Sequence, residues 1–189
     1  MSIMRFMLSA AVLVALALPA AADEILDAID VARKAYQAGD MANAKQSLDV
    51  ASQLIAQKNA EAFTALLPAP LPGWQAEKAQ ASAVGMAMFG GASAASRRYS
   101  NAKGENVDVS ITGDSALIMQ FGPILNNPAM AGAMGKLVRI GDQRGIQTNE
   151  GDVMMLVAGK FLVHVQGSAD AATKLGYAQA VDIAKLSKL

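Results

Sequence analysis

The sequence predicts an α+β protein: a helical hairpin first, then an antiparallel sheet of about five or six strands packed with a C-terminal helix. Three observations lead there. Residues 23–67 are rich in Ala, Leu, Gln and Lys, contain no proline and hold a single glycine. Three prolines between 68 and 72 stop that pattern. Beyond them apolar residues alternate with polar ones, and the segments are joined by Gly/Asn/Asp turns rather than by helices. Strands joined in this way form antiparallel ladders, which argues against a parallel dinucleotide-binding sheet.

The N-terminus comes first. Arg5, the apolar run from Phe6 to Leu18, Pro19 and Ala20-Ala21-Ala22 have the layout of a Sec-type signal peptide at 1–22, cleaved before Asp23. The apolar run is shorter than the roughly 20 residues that span a bilayer. No cysteine is present to carry a lipid, so the expectation is a free periplasmic protein with no stable membrane anchor. Cleavage leaves 15 basic and 16 acidic side chains. Without a basic excess, nucleic acid is not an expected partner.

The hairpin occupies 23–67. Ile25, Ile29, Ala32 and Tyr36 recur on one side of a first helix, and Ala44, Leu48, Ala51, Leu54 and Ile55 on one side of a second. Gly39 is suited to end the first helix and Asp40 to cap the next. The run Ala32, Tyr36, Gly39-Asp40, Ala44, Leu48 and Ala51 resembles a tetratricopeptide-type hairpin. One copy is visible where such repeats need about three to stand alone. The expectation is therefore a single hairpin docked on the next domain.

A Pro-rich connector at 68–73 leads to that domain, at 74–189. Its predicted strands are Trp74 to Lys78, the segment around Arg97-Arg98-Tyr99, Val107 to Thr112, Lys136 to Ile140, Val153 to Ala158 and Phe161 to Gln166, with a turn-rich stretch leading from Gly141 to Ile146-Gln147-Thr148. Gly159-Lys160 is the expected tight turn of the last pair. Ala169 to Leu186 returns to a helical pattern. This order is similar to exported domains of the PsbP/Mog1 type. The resemblance implies an α+β sandwich with a ligand-binding or assembly-accessory role.

Several chemistries are excluded by composition. There is no Cys and one His, His164, which rules out disulfides, thiolate zinc sites, a cysteine nucleophile and multi-His metal centres. No G-x-S-x-G elbow occurs, and the spacing of Ser168 and Asp170 does not point to a triad with His164. Gly85, Gly90 and Gly91 lack the Lys-Ser/Thr of a phosphate loop. The expectation is a protein that is not an enzyme and carries no cofactor.

Methionine is the enriched residue, with 11 in the chain. Two apolar, Met-bearing stretches stand out, 84–91 and 119–134. Met86, Met88, Phe89, Met119, Phe121, Met130 and Met134 are the candidate binding residues for a protein partner or an apolar ligand. The alternative is a copper-binding accessory protein, because thioethers suit Cu(I). Its candidate ligands are Met86, Met88, Met130, Met134 and His164. Met154 and Met155, adjacent on one strand, point to opposite faces and cannot share a site.

Overall fold

The computed structural model describes residues 23–83, 92–113, 118–119, 122–124 and 127–189. The first helix, α1, spans Glu24–Gln37 and is capped by the Asp23 side chain, which accepts from the Ile25 N–H at 3.2 Å. Gly39 takes a positive φ of 80° to turn the chain, a conformation glycine adopts without steric cost. Asp40 then caps α2, Met41–Thr64, by accepting from the Asn43 N–H at 3.0 Å. The predicted hairpin is present, and both of its punctuating residues have the expected roles.

Its seam is the predicted one in part: Ala32, Ala44 and Ala51 are buried as expected, and the bulky residues are not. The buried positions are small side chains, Ala32 and Ala35 on α1 and Ala44, Ser47 and Ala51 on α2. Ile29, Tyr36, Leu48 and Ile55, expected on the inner faces, stand exposed. Alanine lets the helix axes approach closely, which leaves the bulky neighbours on the flanks. Near its end α2 turns a different side inward and places Phe63, followed by Leu66 and Leu67, in the core beneath the sheet.

The sheet has eight strands, not five or six. They are β1 (Trp74–Ala76), β2 (Gln80–Ala83), β3 (Ser93–Asn101), β4 (Asn106–Gly113), β5 (Gly135–Ile140), β6 (Gln143–Thr148), β7 (Val153–Val157) and β8 (Phe161–Gln166). The spatial order is β1-β3-β4-β8-β7-β6-β5, and every pairing is antiparallel. β1 pairs with the end of β3 and β2 with its beginning, so the two fill one edge position. β2 reads Gln-Ala-Ser-Ala and has no large apolar side chain, so alternation does not reveal it. Between β4 and β5 lies α3, Pro128–Met134. The expected C-terminal helix is two helices, α4 (Ala171–Gln179) and α5 (Ile183–Leu186), and Asp182 caps the second.

The two sheet faces differ. One carries Tyr99, Val109, Ile111, Met155, Phe161 and Val163 among others, and is covered by the end of α2, α4 and α5. Phe63 packs edge-on against Phe161, with ring centroids 5.5 Å apart. Gly113 makes room for this pair: a Cβ there would come within 2.9 Å of the Phe63 ring. Tyr177 of α4 lies 4.4 Å from Tyr99 and 5.7 Å from Trp74, centroid to centroid.

The proline segment is fastened to this layer. The buried Tyr99 hydroxyl donates to the Pro68 carbonyl at 2.6 Å, and Arg97 Nη1 donates to the same oxygen at 3.4 Å. The Leu71 N–H donates to the Tyr177 hydroxyl at 3.3 Å. Burial pushes the Tyr99 phenol up to about 12. Lys174 of α4 is also buried. Its ammonium donates to the Glu150 carbonyl (2.7 Å), the Asp152 carboxylate (2.8 Å) and the Gly167 carbonyl (3.1 Å).

Candidate functional site

Among the described residues, α3 and the Ile118 segment are what packs on the second sheet face. α3 begins where the Asn127 side chain accepts from the N–H groups of Ala129 (3.0 Å) and Met130 (3.4 Å). Pro128 sits in its first turn, where a missing donor costs nothing. The helix ends at Gly135, where any Cβ would run into the Gln147 carbonyl, so the chain enters β5 in tight contact with β6. Ala131, fully buried, joins Ile146 of β6 and Leu162 of β8 in a small cluster. Ile118, Met134, Met154 and Leu156 pack around it.

Beside this cluster stand three large apolar side chains that the described residues leave open. Met119, next to Ile118, is 82% exposed, Met130, one turn before Met134, is 48% exposed, and Leu137, opposite Ile146 in the β5–β6 ladder, is 44% exposed. They come from three segments, each adjoining a member of the cluster in sequence or across the ladder. Of the sequence-predicted binding residues, Met134 packs on this cluster, and Met119 and Met130 are the chain neighbours of its members Ile118 and Ala131. Met86, Met88, Phe89 and Phe121 lie outside the described residues. Leu137 is the residue that sequence reasoning missed. Its place in a strand was legible, but the sparse cover over that strand was not.

One row of the same face runs Ser110, His164, Met154, Ile146 and Leu137 across β4, β8, β7, β6 and β5. A turn centred on Gly159-Lys160 would have set His164 opposite Met155. The ladder instead pairs Val157 with Phe161, and so His164 with Met154. Met155 is buried on the helix-covered face, while Met154 belongs to the second, as alternation requires. Burial lowers the His164 pKa, and the Asp152 carboxylate opposes that shift.

Ser168 and Asp170 are engaged away from His164. The Ser168 hydroxyl accepts from the Asn106 N–H at 2.9 Å, and Asp170 caps α4 by accepting from the Thr173 N–H at 2.6 Å. The basic pair splits across the sheet. Arg97 contacts the proline segment, while Arg98 forms a bidentate pair with Asp108, directly opposite on β4, at 2.8 and 3.0 Å. Among the described residues there is no group of three or more His, Asp and Glu side chains that would hold a metal ion. A concavity of about 390 Å³ lies elsewhere, between the start of α1 and α2, lined by Asp23, Glu24, Ile25, Leu54, Lys58 and Glu61 among others.

Comparison with protein-family models, with curated proteins and with solved structures finds no match to this chain. Among the described residues no helix is long and apolar enough to cross a membrane.

Proposed function

We propose that this chain is an exported, non-enzymatic binding or assembly-accessory protein that holds a protein partner or an apolar ligand on its Met-bearing sheet face. One observation carries the reading: among the described residues, Met119, Met130 and Leu137 stand open beside the Ala131–Ile146–Leu162 cluster. Flexible thioethers beside a fixed apolar centre form a surface that adapts to differently shaped apolar partners. The polar row beyond it, Ser110 and Asp108 with Arg98, supplies a rim.

The test is capture from periplasmic extract with Met130→Lys and Leu137→Lys in one chain. Both side chains are exposed, so the fold is expected to survive the change. Recovery of the partner should fall at least tenfold, and unchanged recovery refutes the reading. The export component predicts an intact mass starting at Asp23; a chain retaining residues 1–22 refutes it.

A second reading, copper binding, is favoured by one feature: His164 faces Met154 across the β7–β8 ladder, and Met134 packs on the same cluster. Imidazole and thioether are ligands that Cu(I) accepts. Competition with a Cu(I) chelator decides it. Binding that disappears in Met154→Leu supports copper, and no binding in the parent chain retires it.

A further inference from the structure

β5 ends the strand order, and among the described residues β6 is its sole partner strand. The turn between them holds two residues, Gly141 and Asp142, with Gly141 at a φ of 57°. Such a turn closes on a hydrogen-bonded pair, here Ile140 and Gln143, and the ladder then alternates. Val138 and Lys136 therefore bond to β6, while the N–H and C=O groups of Leu137 and Arg139 point away from it. The far side of β6 agrees. The Thr148 N–H donates to the Asp152 carbonyl at 2.8 Å, which turns Ile146 towards β7 and leaves Gly145 and Gln147 to bond β5. An open row of backbone groups is a template for a further strand.

The side chains at the same two positions are unlike each other. Leu137 is apolar, 44% exposed, and lies on the Met-bearing face. Arg139 shares that face by alternation and stands directly opposite Arg144, in the closer, non-hydrogen-bonded type of cross-strand pair. Both arginines are exposed. Like charges facing each other across a ladder weaken it. The Asp142 carboxylate lies 3.7 Å from Arg139, with the two side chains 98% and 80% exposed, too loose a pair to offset that charge. From Gly135 to Thr148 the hairpin sets Lys136, Arg139 and Arg144 against Asp142 alone, and α3 beside it is uncharged.

We propose that β5 takes on an extended acidic segment of a partner protein as an additional strand, with an apolar side chain over Leu137 and, two positions along, a carboxylate between Arg139 and Arg144. This rests on the function proposed above and gives the partner of that face its chemistry. Backbone hydrogen bonds supply affinity and alternate side chains supply selectivity. A carboxylate accepting from both guanidiniums turns their repulsion into charge-assisted bonding. A second copy fits poorly, because it would bring its own Lys136, Arg139 and Arg144 to the same edge.

The experiment uses isotope-labelled protein expressed from the full-length sequence and a capped synthetic peptide of about nine residues, with valine and glutamate alternating on one face and threonine on the other. Two control peptides carry glutamine or lysine in place of glutamate. Fluorescence anisotropy at low salt measures affinity, and hydrogen exchange follows the Leu137 and Arg139 amides. The glutamate peptide should bind about tenfold tighter than the glutamine one, and exchange at both amides should slow about tenfold at saturation. In a chain carrying Arg139→Glu and Arg144→Glu the preference should switch to the lysine peptide, a gain that a misfolded variant would not show. Equal affinity for the three peptides, binding of none, a preference that does not switch, or exchange unchanged at the two amides overturns the proposal. So does slow exchange there in the chain alone, which a second copy or another segment of this chain on β5 would produce. Failure here is distinct from failure of the binding face. If Met130→Lys with Leu137→Lys still abolishes capture from extract while the two amides stay unprotected, strand addition falls and the face stands.

Discussion

Replacing Lys174 by Met removes a buried ammonium while keeping the length of the stem. Lys174 is 2% exposed, and its three acceptors come from two places: Glu150 and Asp152 before β7, and Gly167 after β8. Removing one member of a buried ion pair costs about 3–5 kcal/mol, because the other charge is left without its partner. The Asp152 side chain is 27% exposed, so water recovers part of that loss and the lower end applies. The expected destabilisation is therefore about 3 kcal/mol, or a fall in Tm of about 6–12 °C for a domain of this size. Asp152→Asn should cost less, about 1–2 kcal/mol, because the lysine keeps both carbonyls and a neutral acceptor. Urea unfolding followed by circular dichroism at pH 7 measures both, with an unchanged m-value confirming that the transition is the same. A Lys174→Met chain within about 0.5 kcal/mol of the parent would refute the reasoning, since the ammonium would then contribute nothing net.

Three further outcomes are expected. Tyr99 should be among the last phenols to ionise in an absorbance titration, near pH 12, and Tyr99→Phe should remove that step. Because the folded pKa is raised, the unfolded chain ionises first, so this residue's share of stability is intact below pH 10 and is lost between about 10 and 12. Ala158, exposed and with a φ of 52° in the β7–β8 turn, should tolerate Asn or Gly with a gain of about 0.4–1 kcal/mol in urea unfolding; a loss would mean the left-handed conformation is not strained there. Ala44→Leu should overpack the hairpin seam and cost about 1–3 kcal/mol, and a thermal unfolding curve matching the parent's would contradict that seam.

The parts of the fold legible in the sequence were those with a local physical cause. Gly39 and Asp40 end one helix and begin the next through backbone conformation and a single capping bond, both of which travel with the residue type. Val107, Val109 and Ile111 alternate because one face of β4 is buried. What escaped was set by distant partners. Ala32, Ala44 and Ala51 were legible as seam residues, but Ile29, Tyr36, Leu48 and Ile55 beside them looked like core too, and the sequence does not reveal how narrow the strip facing a neighbour will be. The β7–β8 register was missed by one residue, because Ala158 rather than Lys160 shares the turn's two positive-φ positions with Gly159. That single step decides that Met154, not Met155, faces His164. The candidate site was legible as a Met-bearing stretch, but its centre, Ala131 with Ile146 and Leu162, joins three elements far apart in the chain.

The strand order also governs how the chain finds its fold. Every pairing within β1–β4 and within β5–β8 joins strands near each other in sequence, whereas β4 and β8 bring together residues as distant as Asp108 and Gln166, 58 positions apart. The conformational search thus divides into two meanders that assemble from nearby hairpins and one late closure that zips them edge to edge. The entropic penalty of that closure grows only with the logarithm of the intervening length, about 0.6 kcal/mol for each doubling. Evolution is therefore free to lengthen the crossover between β4 and β5, the stretch that carries the Met-bearing segment and α3, at little thermodynamic penalty and with a slower refolding rate as the main consequence.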